Sequence, residues 1–516
     1  MKNRYLLPSL FLLLAGGPAW AQRTPAAPPA DAPAQPVRVE LLAPENRTEV
    51  HVQPLATDSS VVVLLGRDAP LSGKTSFVFQ QYDSELLLQR EVPLDVPDEF
   101  HFVRMCAENT AVFTVFSSRL MPGRLWVAAY DGEQGRTRTQ QFETRLSREI
   151  VELKALHNRL FATVMLSDNQ HVTALLLDVA TGQFQYLPAV YEQAPMNISF
   201  MADPAGRRAE YVLSQTNGHK SRLLLKQLTE RGQLISSEFV QAESERSLIT
   251  AQLSPPQDSS TRLLMGTYSL RNPTYAQGLF ATDLSADYGL RPPLRFYDFL
   301  HLKHFFDYLK PARQERLRRR IARRTARALP PLRWHYRLLL HELRPQSDGG
   351  YVLLAEVYYP HYRYNNYGAN VAAPGPFGMG STRVFDGFQT THVLVCGFDR
   401  HGTLLWDNTF VTENLRRYDL QETTRGQVLP DGRLALMYLE ENNLRYKILQ
   451  GSEPSPNDHF IPLRTNSPEV KEKTLETTQA DVQPWFGTRF IAHGFQRVRN
   501  EAGREREVFF LNAVRF

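Results

Sequence analysis

His392-Val393-Leu394-Val395-Cys396-Gly397-Phe398 is an unbroken apolar run, Asp399-Arg400-His401-Gly402 is a polar turn, and Thr403-Leu404-Leu405-Trp406 runs back. Apolar residues rich in valine and leucine, interrupted by an Asp-x-x-Gly, read as two antiparallel strands joined by a tight connection. The pattern recurs. Apolar runs stand at Val61–Gly66, Val112–Phe116, Phe161–Leu166, Tyr211–Gln215, Leu263–Thr267, Tyr351–Val357, Leu434–Leu439 and Phe490–Gly494. Polar turns follow many of them, at Asp131-Gly132, Asp178–Gly182, Thr229–Gly232, Asp287-Tyr288-Gly289 and Asn500–Gly503. Glycine and aspartate recur there because tight hairpins require positive φ angles or side-chain-to-backbone hydrogen bonds.

The first four runs begin at Val61, Val112, Phe161 and Tyr211, that is 51, 49 and 50 residues apart. Two later intervals are longer, and each holds a visible insertion. Blades of radially repeated folds occupy roughly 40–50 residues, and radial closure protects sheet edges. The expectation is an all-β chain, a β-propeller of seven or eight blades with a helical insertion. Tandem β-sandwiches joined near residue 290 are the alternative.

The strand, Asp-x-x-Gly, strand, Trp pattern of His392–Trp406 resembles the outer hairpin of quinoprotein-like propeller blades, with weaker echoes at Leu176–Leu187 and Leu224–Phe239. The period is similar to that of kelch-like blades. The resemblance implies architecture and no cofactor, and the catalytic residues of those families have no counterpart here. The chain as a whole resembles exported bacterial β-propeller-like proteins of uncharacterised role, which implies no activity.

Residues 1–21 carry the marks of a secretory signal: Lys2 and Arg4, an apolar stretch from Leu6 to Ala15, and Ala19-Trp20-Ala21 as the cleavage site. Residues 22–36 read as a Pro/Ala-rich tether and 37–516 as the propeller, with a periplasmic or extracellular location expected. The two cysteines, Cys106 and Cys396, lie inside apolar runs far apart in sequence and read as buried reduced thiols rather than a disulfide.

Against this β background, segment 298–328 stands out. From Lys310 to Arg327 it has nine cations and one anion, Glu315, a local charge of +8 in a chain whose net charge is +5. Phe299, Leu302, Phe306 and Leu309 follow helical spacing and predict a first, docking helix. Pro311 suits the first turn of a second, and Pro330-Pro331 closes the segment. Arg313, Arg316, Arg318, Arg319, Arg320, Arg323, Arg324 and Arg327 of the second piece are the candidate contacts to an anionic surface. The export signal and the lack of an aromatic stacking platform exclude nucleic acid as the expected partner. An envelope protein, a glycan or an anionic lipid surface remains.

The second insertion, 358–388, reads as a long Tyr/Gly/Pro-rich loop. Tyr358, Tyr359, Tyr362, Arg363, Tyr364 and Tyr367 combine flat amphipathic surface with hydrogen-bonding groups, the composition of recognition loops. Gly375, Gly378 and Gly380 lack phosphate-loop spacing. No nucleophile elbow, zinc pair pattern, calcium loop or phosphate loop occurs in the chain. His301, His304 and Asp307 form a loose metal-like trio that reads as a packed or solvated face, so no metal, cofactor or catalytic residue is assigned. Asp386, Asp399 and Asp407 read as turn-formers. A non-catalytic binding or scaffolding module of the cell envelope is the leading functional expectation. The alternatives are a carbohydrate- or peptide-active enzyme with its site in the channel, and a peripheral membrane tether acting through the basic helix.

Overall fold

The computed structural model describes residues 31–68, 75–121, 123–144, 147–168, 171–193, 197–216, 220–242, 245–257, 262–270, 272–285, 292–330, 332–365, 382–412, 415–453, 459–465 and 472–516. The expected signal segment 1–21, the turn Asp287-Tyr288-Gly289, Tyr367 and the three loop glycines lie outside these residues.

Pro33–Phe516 forms an eight-bladed β-propeller rather than two sandwiches. Each blade is an antiparallel sheet of successive strands. Blade 1 is Thr48–Leu55, Ser60–Asp68, Thr75–Tyr82 and Leu88–Leu94. Blade 2 is Phe100–Glu108, Ala111–Ser118, Arg124–Asp131 and Arg136–Glu143. Blade 3 is Ser147–Leu156, Arg159–Leu166, His171–Asp178 and Gln183–Gln193. Blade 4 is Ile198–Asp203, Arg208–Thr216, Ser221–Thr229 and Leu234–Val240. Blade 5 is Ser247–Leu253, Leu263–Ser269, Gly278–Asp283 and Arg295–Asp298.

Blade 6 is enlarged: Arg337–Leu340, Tyr351–Asn365, Thr382–Phe398 and Leu404–Val411, with Arg344–Pro345 and Arg416–Arg417 added at its flanks. Blade 7 is Arg425–Val428, Leu434–Glu440, Asn443–Leu449 and His459–Pro462. Blade 8 takes Lys473–Pro484, Arg489–Arg499 and Glu505–Arg515 from the C-terminus, and its outermost strand, Arg38–Leu42, from the N-terminal end. That last pairing, Arg38 opposite Asn512 through Leu42 opposite Val508, closes the ring.

All eight apolar runs of the sequence are the second strands of the blades. They are apolar throughout because both faces of a blade are covered by neighbours. Val61 and Val63 pack with Trp485, Ile491 and Phe509 of blade 8, while Val62 and Leu64 of the same strand pack with Val112, Phe116 and Trp126 of blade 2. Similar clusters join blades 2 and 3, 3 and 4, 4 and 5, 5 and 6, and 6 and 7.

The turn Asp399–Gly402 joins the two outer strands of blade 6. Asp399 Oδ1 accepts from the backbone N–H groups of His401 and Thr403 at 2.9 and 2.7 Å, and Gly402 takes φ +78°. Gly397 is required one strand back: a Cβ there would lie 2.1 Å from the Trp406 Nε1, so the indole lies flat on the strand only because the side chain is absent. Cys106 and Cys396 are both free and buried.

Two features correct the sequence reading. Segment 299–309 is not a helix. Only Phe299–His301 makes a turn of 3₁₀ helix, and the chain then descends into turns. The tertiary contacts override the helical spacing: Asp407 accepts from the backbone N–H of Lys303 (3.0 Å) and of His304 (2.7 Å), removing donors a helix would use. Phe299, Leu302 and Phe305 are buried in the cluster between blades 5 and 6. The segment therefore docks, as coil. The second piece is helix α1, Pro311–Ala326, with Pro311 at its first turn.

Segment 358–388 is likewise not a loop at either end. Tyr358–Asn365 and Thr382–Thr390 continue the two middle strands of blade 6 as a β-ribbon, paired from Tyr358 opposite Thr390 to Asn365 opposite Thr382. Tyrosine and phenylalanine favour extended chain when they can pack across a strand pair.

Candidate functional site

Antiparallel succession places the turn between strands two and three of a blade on the same face of the ring as the link from one blade to the next. The insertion before blade 6 and the ribbon of blade 6 therefore leave from one face. Their roots touch the same blade end. Tyr308 stacks on the fully buried His392 at 4.1 Å and 7°, and its hydroxyl lies 2.7 Å from that of Tyr336. Arg337, the first strand residue after the insertion, pairs with Tyr358, the first residue of the ribbon. Burial alone pushes His392 down to about 3, so it is neutral over the physiological range.

Beyond the docked segment, α1 has no buried residue. Gln314, Leu317, Ile321 and Arg324 form its half-buried stripe, and Arg324 donates to the Pro330 carbonyl from Nε (3.0 Å) and Nη2 (2.6 Å). The one acidic residue, Glu315, pairs with Arg319 at 2.8 Å. Among the described residues no carboxylate pairs with Arg313, Arg316, Arg318, Arg320, Arg323 or Arg327. Arg316, Arg319, Arg320, Arg323, Arg324, Arg327 and Leu329 line a shallow groove of about 340 Å³.

The ribbon is an aromatic surface stiffened by charge. Phe385 meets Tyr362, Phe388 and Tyr418 edge-on at 5.8, 5.1 and 6.0 Å, and Arg383 lies 3.8 Å over the Tyr362 ring. Asp386 ties the ribbon together, 3.0 Å from Arg363, 3.0 Å from Arg416 and 3.3 Å from His361. Tyr359 and Tyr418 are 44% and 74% exposed. Only the backbone of Tyr364 is described.

The remaining candidates are structural. His304 faces Asp307 Oδ2 at 2.7 Å and the Ser452 carbonyl at 3.2 Å, which anchors the docked segment to blade 7, while His301 is exposed apart from them. Asp407 holds that segment, and Asp399 its own turn. Among the described residues no group of three His, Cys, Asp or Glu side chains is placed to hold a metal ion.

A second concavity lies in the channel enclosed by the innermost strands, which the sequence reading named as the place of an alternative site without identifying any of its residues. A cavity of about 440 Å³ there is lined by Glu152 and Lys154 of blade 3, Ser199 and Phe200 of blade 4, Gln252 of blade 5, His341, Glu342 and Arg344 of blade 6, and Glu422 before blade 7. Lys154 and Glu342 form an ion pair between blades that are not neighbours in the ring. Glu422 pairs with Arg425, which reaches Asp481 of blade 8 at 3.6 Å.

Behind the lining, Glu356 accepts from His341 Nε2 (3.1 Å), the Thr423 and Thr424 backbone N–H groups (2.7 and 2.8 Å), and the hydroxyls of Thr423 (2.5 Å) and Thr390 (3.3 Å). Burial raises the affinity of Glu356 for a proton, but these donors more than offset it and hold the carboxyl below its usual range. Burial pushes Glu152 up to about 7 against the opposing pull of Lys154. Linear motifs could not show this site, because its residues come from five repeats and are spread from Glu152 to Glu422.

No family model and no curated protein matches the chain. Among solved structures, the polysaccharide lyase Uly1 superposes with a TM-score of 0.41 at 8% identity, over 80% of this chain and 90% of that one. The β-propeller domain of the Trilobed protease from Pyrococcus furiosus gives 0.36 at 8% identity, over 80% and 96%. Prolyl oligopeptidase B from Galerina marginata gives 0.41 at 10% identity, over 89% of this chain and 56% of its own, so this chain spans about half the length of that enzyme. At these scores no residue, substrate or activity transfers. The carboxylates Glu152, Glu342 and Glu422 gather at one cavity of the channel. No described helix is long and apolar enough to cross a membrane.

Proposed function

We propose that the protein is an exported, non-catalytic binding module: a propeller that docks its insertion face on an anionic surface of the cell envelope. The observation that carries this reading is the uncommitted charge of α1. Among the described residues Arg313, Arg316, Arg318, Arg320, Arg323 and Arg327 have no carboxylate partner, on a helix that buries nothing, beside a segment (Phe299–Leu309) fixed firmly to blade 6. A helix retained only for packing would bury an apolar face; this one holds its charge away from the body. Each arginine near an anionic surface contributes about 1 kcal/mol, so six acting together suffice for reversible capture. The exposed aromatic ribbon on the same face adds a surface for a flat or glycosidic group.

Spaced anions occur on acidic glycans and on phospholipid headgroups alike, and the test separates them. Full-length mature protein is sedimented with vesicles containing phosphatidylglycerol, with vesicles of phosphatidylcholine alone, and with alginate beads. The expected result is capture by one or both anionic supports and none by phosphatidylcholine. Capture should weaken at least tenfold when Arg316, Arg320, Arg323 and Arg327 become glutamine, and vanish near 1 M salt, where screening acts within about 3 Å. Equal capture by neutral vesicles, or indifference to the four substitutions, overturns the reading.

A further inference from the structure

The channel cavity is independent of the insertions, and its lining contains two buried polar atoms without a partner. His341 is 1% exposed. Its Nε2 is committed to Glu356, leaving Nδ1 bare, 4.0 Å from Glu422 and beyond hydrogen-bonding reach. With Nε2 engaged by Glu356, Nδ1 is the ring atom left to face the cavity, an acceptor in the neutral ring and a donor in the imidazolium. The second atom is Arg344 Nε. Lys154 and Arg425 have carboxylate partners, but among the described residues none pairs with Arg344; Glu422 and Glu342 act on it only from longer range. Burial lowers its pKa for that reason. A half-buried cation without a carboxylate and a buried ring nitrogen without a partner are both costly unless something fills them.

We propose that this cavity is a binding site for a small hydroxylated organic acid, with the acid's carboxylate on the Arg344 guanidinium and a hydroxyl hydrogen-bonded to His341 Nδ1. A carboxylate matches the planar fork of a guanidinium better than any neutral group. About 440 Å³ lies within the range of small-molecule sites and accommodates one sugar acid. Glu152, with its carboxyl raised to about 7, supplies a further hydrogen-bond donor when protonated, and Gln252 and Ser199 extend the polar wall. Phe200 gives the ligand's ring an apolar side.

Titration calorimetry on the full-length mature protein tests this with glucuronate, which carries both a carboxylate and hydroxyls. Glucose, which lacks the carboxylate, and acetate, which lacks the hydroxyls, are the comparisons. The expected result is saturable glucuronate binding, at least tenfold tighter than either. Arg344→Gln should weaken it tenfold or more and Arg344→Lys less, while Arg504→Gln, at an exposed turn of blade 8, should leave it unchanged. Should Arg344→Gln fail to fold, hydrogen exchange of the wild-type protein decides: glucuronate must protect residues 152–154 and 341–344. No glucuronate binding, equal binding of glucose, unaltered binding by Arg344→Gln, or protection confined to other segments overturns the proposal. None of these outcomes bears on α1, so the two sites fail separately.

Discussion

Glu356 shows how a single buried charge is used. It is 1% exposed, belongs to the second strand of blade 6, and draws its hydrogen bonds from His341, Thr390, Thr423 and Thr424, so one carboxylate pins the entry to blade 7 against blade 6. Removing one partner of such a buried set costs about 3–5 kcal/mol because the others lose their acceptor. Glu356→Gln should therefore lower unfolding stability by about 3 kcal/mol at pH 7, measured by urea titration. The sign of its pH dependence follows from the depressed folded-state value. The carboxylate stabilises the fold above its unfolded pKa near 4.3, and that contribution is lost as pH falls through the lower folded value. The gap between wild type and variant should narrow below about pH 4; a gap constant with pH would contradict this account. Glutamate in an apolar strand (Leu353-Leu354-Ala355-Glu356-Val357) was the visible signal of this site in the sequence. Its partners His341 and Thr423 lie too far along the chain to be paired with it by spacing.

At the scale of elements, the insertion before blade 6 divides into a structural half and a presented half. Phe305 is fully buried, stacks on Phe299 at 4.2 Å, and meets Tyr336 edge-on at 5.1 Å. Phe305→Ala should cost about 3–5 kcal/mol, the usual loss for a buried phenylalanine. Replacing Pro311–Ala326 with a flexible Gly/Ser linker should leave the melting temperature unchanged within about 2 °C, since surface changes away from packed features are worth about ±0.5 kcal/mol. Comparable melting losses for both variants would show α1 to be part of the packing after all.

The second strands were legible because burial on both faces makes them uniformly apolar. The innermost strands were not. They face the channel with Glu152, Lys154, Gln252, Arg425 and Asp481, and so carry no unbroken apolar run to mark them. The ribbon was hidden for another reason: its tyrosines, arginines and aspartate pair across two strands and with the short flanking strand Arg416–Arg417 rather than with an apolar core. The docked coil was misread as helix because Phe299, Leu302, Phe306 and Leu309 share a helical period, while the decisive Asp407 lies a hundred residues on.

For the whole molecule, integrity rests on the strand Arg38–Leu42 closing blade 8. Arg38 and Glu40 are 2.8 Å apart with side chains only 2% and 3% exposed; Arg38 also reaches Gln496 at 2.7 Å, and Glu40 also pairs with Arg506. Glu40→Gln leaves the buried Arg38 without a carboxylate, while Arg506 keeps Glu472 at 2.9 Å; it should cost about 3 kcal/mol, with the N-terminal strand becoming the first segment cut in limited proteolysis. Unchanged protection of that strand would contradict its role as the closing latch. A ring closed in this way is a stiff support, and the proposed docking through its insertion face needs no motion of the blades.

Hydrogen exchange of the full-length mature protein, with and without a saturating anionic support, tests the central claim most directly. Slowed exchange should be confined to α1 and the segments beside it, 299–336 and 358–365, and should be absent in the variant with Arg316, Arg320, Arg323 and Arg327 replaced by glutamine. Protection on the opposite face of the ring, or none on α1 while the support is demonstrably bound, would contradict the account.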